Sequence, residues 1–269
     1  MKTILVPTEP HDFMPSALQC ANLLARKFDS YIEGFPLFPA LVELYALDAG
    51  IPLPIEVKEH DAEVAREARQ LFEKFMNDND VARSSWLDTA PDGDPFVGSY
   101  GRVFDIIVLG RPGPSRRSRP NMATVEAALF ESGRPILIAP PSPPQRMGEN
   151  ILIAWNCSTE QARTTAFAMP LLQRASHVVV LTVTGGTVPG PTGEQIAQYL
   201  HQHGVQSECI TVAPGGRTTG EVILAEAAAR QCDLLIKGAY TQSRLSQMIF
   251  GGATRHILAN ASLPVLMAH

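Results

Sequence analysis

The sequence predicts a doubly wound α/β fold built twice in tandem, and three observations predict it. Short apolar runs alternate with segments of helical periodicity along all 269 residues, the order that gives parallel sheets covered by helices on both faces. Asp105-Ile106-Ile107-Val108-Leu109-Gly110 returns as Asp233-Leu234-Leu235-Ile236-Lys237-Gly238, with five residues from Asp to Gly in both. Arg134-Pro135-Ile136-Leu137-Ile138-Ala139 returns as Leu263-Pro264-Val265-Leu266-Met267-Ala268, its proline 25 residues after the first glycine and 26 after the second. Repeats this long are domains rather than solenoid units.

The elements follow in order. Ile4 to Pro7 reads as a buried strand, and Pro15 to Phe28 as a helix with Leu18, Ala21, Leu24 and Ala25 on one face. Tyr31 to Leu37 is a second strand; Asp61 to Asn77 is a helix carrying Val64, Ala68, Leu71, Phe72 and Phe75; Ala82 to Leu87 is a third strand. A short helix near Pro95 to Tyr100 leads to the strand Ile106 to Gly110, the helix Met122 to Ser132 and the strand Ile136 to Ala139. The second half repeats the order, with strands at 151–155, 177–183, 207–212, 233–237 and 264–267 and helices at 159–174, 193–203, 219–230 and 245–260. Right-handed crossovers between such strands place ligand-facing loops at their carboxyl ends. The expected domains are 1–140 and 148–269, joined by a proline-rich linker at 141–147.

Leu5 to Gly110 spans 105 residues where Leu152 to Gly238 spans 86, so the first half carries 19 more. They map to 38–58, a stretch holding Leu41, Val42, Leu44, Tyr45, Leu47, Ile51, Leu53 and Ile55. So apolar a segment is costly in water. It is expected either to close its own domain's core or to cover a cleft, the other half or a second chain.

A net charge of −5 gives no overall attraction to nucleic acid. Cys20, Cys157, Cys209 and Cys232 form no C-x-x-C pair, and reduced thiols are expected. No stretch has the roughly 18 uncharged apolar residues of a membrane span, and Met1-Lys2-Thr3-Ile4-Leu5 runs into a strand without a leader pattern. A cytoplasmic protein without membrane or nucleic-acid partners is the expectation.

A strand ending in glycine that opens through a loop into a helix presents N–H groups with no intrahelical acceptor, at the positive end of the helix dipole. Without a Cβ, glycine lets the backbone approach a phosphate closely. In the first half Gly110-x-x-Gly113 is followed by nine residues and Ala123-Thr124; in the second, Gly238-x-x-Thr241 by nine residues and Gly251-Gly252. With these spacings, the element order and both closing Pro-hydrophobic strands, the sequence resembles the universal stress protein family in tandem form over nearly its whole length. That family's nucleotide binders carry G-x-x-G, nine residues, then glycine and a hydroxyl residue after the fourth strand. The resemblance implies five parallel strands per domain in the order 3-2-1-4-5, a stress-response or regulatory role, and ATP or AMP, with magnesium if ATP, as the ligand.

The departures are specific. Thr241 replaces a loop glycine and Gly252 the hydroxyl residue in the second half; Ala123 replaces a glycine in the first, where Thr124 keeps the hydroxyl. The acidic residue that relatives place after the first strand corresponds to Glu9 in one half and Asn156 in the other. The expected ligand residues are Pro7, Thr8, Glu9, Gly110, Gly113, Ala123, Thr124, Trp155, Asn156, Gly238, Thr241, Gly251 and Gly252. Trp155 either lines an adenine pocket or plugs the end of the sheet.

Arg111, Arg116, Arg117 and Arg119 form a basic loop suited either to phosphate or to local acidic groups. Arg244, Arg255 and His256 are a weaker set of the same kind. There is no G-x-x-x-x-G-K-[ST] loop, G-x-G-x-x-G fingerprint, H-E-x-x-H helix or G-x-S-x-G elbow. Dedicated catalysis is not expected, because slow ATP hydrolysis would have only Glu9, His11 and Asp12 to position water. The alternative is a nucleotide-free interaction protein, its halves pairing across their closing strands. An internal domain pair or a homodimer fits either reading.

Overall fold

The apolar run after Lys2 forms strand β1 (Thr3–Thr8), and its central residues Ile4, Leu5 and Val6 are fully buried. The computed structural model describes residues 1–37, 55–88, 93–112, 122–239 and 252–269. The chain divides into two units, Met1–Arg134 and Pro135–His269.

The first unit continues with α1 (Met14–Phe28), β2 (Tyr31–Pro36), α2 (Ile55–Asp78), β3 (Ser84–Trp86), α3 (Gly93–Tyr100), β4 (Ile106–Leu109) and α4 (Met122–Glu131). Its strands lie parallel in the order β3-β2-β1-β4. Helix α2 begins six residues before the expected Asp61; of the apolar segment expected at 38–58, residues 38–54 lie outside the described residues. Buried Ala68, Phe72 and Met76, four apart, form the core face of α2. Strand β3 is shorter than the expected 82–87, because Ser84 and Ser85 give this edge little apolar surface to bury.

The second unit holds β5 (Ile136–Ile138), β6 (Asn150–Ala154), α5 (Thr159–Leu172), β7 (His177–Val183), α6 (Gly193–Gln202), β8 (Glu208–Val212), α7 (Thr219–Ala229), β9 (Leu234–Ile236), α8 (Gly252–Asn260) and β10 (Val265–Met267). Its five strands from β6 onward are parallel and run β8-β7-β6-β9-β10, the doubly wound order 3-2-1-4-5. Strand β5 adds to the edge, antiparallel to β10, with Leu137 opposite Leu266. Three apolar residues, Ile136-Leu137-Ile138, carry no signal of strand direction.

The repeated aspartates turn out to be staples. Asp105, just before β4, accepts the backbone N–H groups of Lys2 and Thr3, and its own N–H donates to Thr3 Oγ1. Asp233, just before β9, accepts from the N–H groups of Gly148 (2.8 Å), Glu149 (3.0 Å) and Asn150 (3.1 Å). Each carboxylate satisfies donors at the start of the neighbouring first strand and so sets the register of first against fourth. Both lie at the amino edge of the sheet. In this topology ligand chemistry falls at the opposite, carboxyl edge.

Helices α6 and α7 start with capping boxes, Thr192 with Gln195 and Thr218 with Glu221, and α5 starts on Ser158, whose hydroxyl accepts from Gln161 N–H. These caps aim the α6 and α7 amino ends at the carboxyl edge of the second sheet. Among the described residues no helix is long and apolar enough to cross a membrane, and all four cysteines are free thiols.

Candidate functional site

At the carboxyl edge of the second sheet, the ends of β6, β7 and β9 and the first turns of α7 and α8 enclose a pocket of about 150 Å3. Its walls are Trp155 and Asn156 after β6, Leu181 and Val183 of β7, Thr219 and Ile223 of α7, Lys237 after β9, and Gly252, Ala253 and Thr254 of α8. Three of the expected ligand residues, Trp155, Asn156 and Gly252, are thus brought together, although they lie nearly a hundred residues apart in sequence.

Trp155 both lines the pocket and plugs the sheet. It is 3% exposed, its indole N–H donates to Pro191 O at 2.8 Å, and its backbone N–H donates to Leu181 O. Asn156 Oδ1 accepts from Ser158 N–H at 3.3 Å, and its carbonyl accepts from Val188 N–H. These bonds fix the turn between β6 and α5, with Cys157 at a positive φ of 67°. The Asn156 amide is left as a neutral, part-exposed polar group on the pocket wall.

Gly238 is required by packing. A Cβ there would lie 2.5 Å from Gln161 N, 2.7 Å from Gln161 Cα and 2.8 Å from Glu160 C. Its N–H donates to Gln161 Oε1 at 2.7 Å. The strand end therefore abuts the first turn of α5 with no room for a side chain. A Cβ on Gly252, by contrast, would meet nothing within 4 Å among the described residues. Thr241 and Gly251 lie outside the described residues.

Two polar pocket residues not singled out from sequence, Thr254 and Lys237, bear on the chemistry. Thr254 is buried in the first turn of α8, and the buried Thr124 holds the matching place in α4, each preceded by alanine. The shared Ala-Thr step, Ala123-Thr124 and Ala253-Thr254, was the available signal; counting from the glycines instead placed the hydroxyl position at Gly252. Lys237 is 6% exposed, and its ammonium donates to Gly238 O at 2.6 Å. Burial pushes it down from 10.5 to about 8, with Glu160 opposing. Its counterpart in the first copy is buried Leu109.

In the first unit Pro7 and Thr8 are buried at the end of β1, and Thr8 Oγ1 donates to Val6 O. His11 Nε2 stands 3.9 Å from Glu9 Oε1, and Phe13 N–H donates to His11 Nδ1, which assigns the ring proton to Nε2. Burial holds His11 down at about 4, against the pull of Asp12, so the ring is neutral at pH 7. Arg111, just past the buried Gly110, places its guanidinium 6.0 Å from the Phe13 ring centre. Ala123 and Thr124 lie in the first turn of α4. Gly113, Arg116, Arg117 and Arg119, and Arg244 in the second half, lie outside the described residues. His256 accepts from the Asn260 amide through its carbonyl on the α8 surface. Among the described residues no group of three or more His, Cys, Asp or Glu side chains converges as a metal site.

Residues 147–269 match the model of the universal stress protein family. Among solved structures, a universal stress protein from Archaeoglobus fulgidus DSM 4304 aligns with a TM-score of 0.72 at 13% identity, over 99% of this chain and 97% of that one. A functionally unknown protein from Pseudomonas aeruginosa PAO1 aligns with a TM-score of 0.58 at 16% identity, over 100% and 92%. At these identities the likeness is one of fold. No curated protein matches the chain by sequence. The second half of the chain is thus similar in sequence to the universal stress protein family, and over 99% of its length the chain shares the fold of the Archaeoglobus protein.

Proposed function

We propose that this protein is a ligand-binding stress-response or regulatory protein that takes an adenine nucleotide, ATP or AMP, in the second-unit pocket. The observation that carries the reading is the pocket's construction. The amino ends of α7 and α8 meet the carboxyl ends of β6 and β9 around it, with Trp155 on one wall and the Thr219 and Thr254 positions on another. First-turn N–H groups lack intrahelical acceptors and favour phosphate oxygens, and an indole beside an apolar β7 wall of Leu181 and Val183 suits a purine. Among the described residues nothing stands within 4 Å of a Cβ position at Gly252, where α8 begins, so a phosphate can approach its backbone.

The remaining expected residues, Pro7, Thr8, Glu9, Gly110, Gly113, Ala123 and Thr124, belong by the same reading to a second site in the first unit. Magnesium, if ATP is the ligand, would be held chiefly by the phosphates, as that cation commonly is. Titration calorimetry of the purified full chain with AMP and with ATP tests the reading. A saturable heat in the micromolar to millimolar range is expected. No heat at millimolar nucleotide, and no nucleotide retained on purification, would leave the nucleotide-free interaction role in its place.

A further inference from the structure

We infer that Lys237 makes the second-unit pocket selective for a phosphorylated ligand, its ammonium taking a phosphate oxygen. The inference deepens the proposed function and rests on it for the pocket's role, but it turns on a residue that the first copy of the repeat lacks.

The two copies of the repeat differ in chemistry at this point. The first has an apolar Leu109, 1% exposed, closing the strand; the second has an ammonium at the same place, 6% exposed. The residue after the first strand changes in the opposite sense, from Glu9 to Asn156. Among the described residues that line the second-unit pocket there is no Asp or Glu, and Lys237 is the one formal charge. A charged lysine carries three donors. Among the described residues Lys237 Nζ has a single acceptor, the backbone oxygen of Gly238, and forms no ion pair. A buried ammonium with two unmade hydrogen bonds is costly to the fold, and burial accordingly depresses its proton affinity. A leucine in its place would carry no such cost. A phosphate group seated between Lys237 and the first turn of α8 would supply the missing acceptors, and the helix dipole would add to the attraction.

Calorimetry of the full chain with AMP and with adenosine at equal ionic strength, for wild type and Lys237→Met, tests this. Wild type is expected to bind AMP at least tenfold more tightly than adenosine; K237M should erase that preference and raise the melting temperature. Preserved preference for AMP in K237M overturns the inference and leaves the nucleotide reading standing. The chain has five lysines, so 13Cε-labelled lysine gives few NMR signals, and the one missing from K237M is Lys237. If neither AMP nor adenosine binds, the nucleotide reading fails and pyrophosphate decides the inference. A saturable shift of the Lys237 signal with pyrophosphate sustains it, and an unmoved signal overturns it.

Discussion

Replacing Gly238 with alanine separates the two reasons for a glycine at the end of β9. The added Cβ would sit 2.5, 2.7 and 2.8 Å from three backbone atoms of Glu160 and Gln161. These atoms belong to the first turn of a helix and cannot rotate aside, so β9 or α5 must move by nearly an ångström. Overpacking of a tight site costs about 1–3 kcal/mol, and the shift would also weaken the 2.7 Å bond from Gly238 N–H to Gln161 Oε1, worth about 1 kcal/mol more. The sum is roughly 2–4 kcal/mol, enough to lower the melting midpoint of the unit by about 10 °C. Urea unfolding followed by fluorescence in a Trp86→Phe background reads this directly, because Trp155 is then the remaining tryptophan. Gly252→Ala is the control. Its Cβ meets no atom of the described residues within 4 Å, so stability should stay within about 0.5 kcal/mol or rise slightly, while nucleotide binding weakens. A G238A protein as stable as wild type would refute the packing argument.

Two further outcomes follow from the electrostatics. Asp233→Ala removes the acceptor of three backbone N–H groups around the start of β6. It should cost about 3 kcal/mol in urea titrations, whereas an Arg146→Ala change, removing only the 3.7 Å partner of the same carboxylate, should cost under about 1 kcal/mol. His11 is held neutral by burial at about 4, below its ordinary 6.5. Between those values the unfolded chain binds the proton and the folded chain does not. Stability of the first unit is therefore full above pH 6.5 and falls as the pH drops toward 4, by roughly 3 kcal/mol at most. His11→Gln should flatten that limb; an unchanged acid profile would count against it.

The sequence carried the architecture well and the site only in part. Strand positions were legible because buried parallel strands are short apolar runs, and the two copies checked each other at Asp105 and Asp233; the strand order came with the family resemblance. The reason for those aspartates was not legible, since each acts on backbone far away in sequence. The antiparallel pairing of β5 with β10 left no trace in three apolar residues. Trp155 and Asn156 were found because residues after a first strand face the ligand edge in this topology. Gly238 was found for phosphate approach, and its contact with Gln161 depends on a helix 77 residues earlier. Thr254 and Lys237 were visible as differences between the copies, at Ala-Thr and at Leu109 against Lys237. Glycine spacing alone points to neither.

The most direct measurement of the central claim is the difference density of the full chain crystallised with AMP. The account predicts a nucleotide in the second-unit pocket, with its base beside Trp155 and a phosphate within hydrogen-bond distance of the N–H groups of Gly252 and Ala253. A pocket empty of nucleotide at millimolar AMP, or AMP bound elsewhere on the chain, would contradict it.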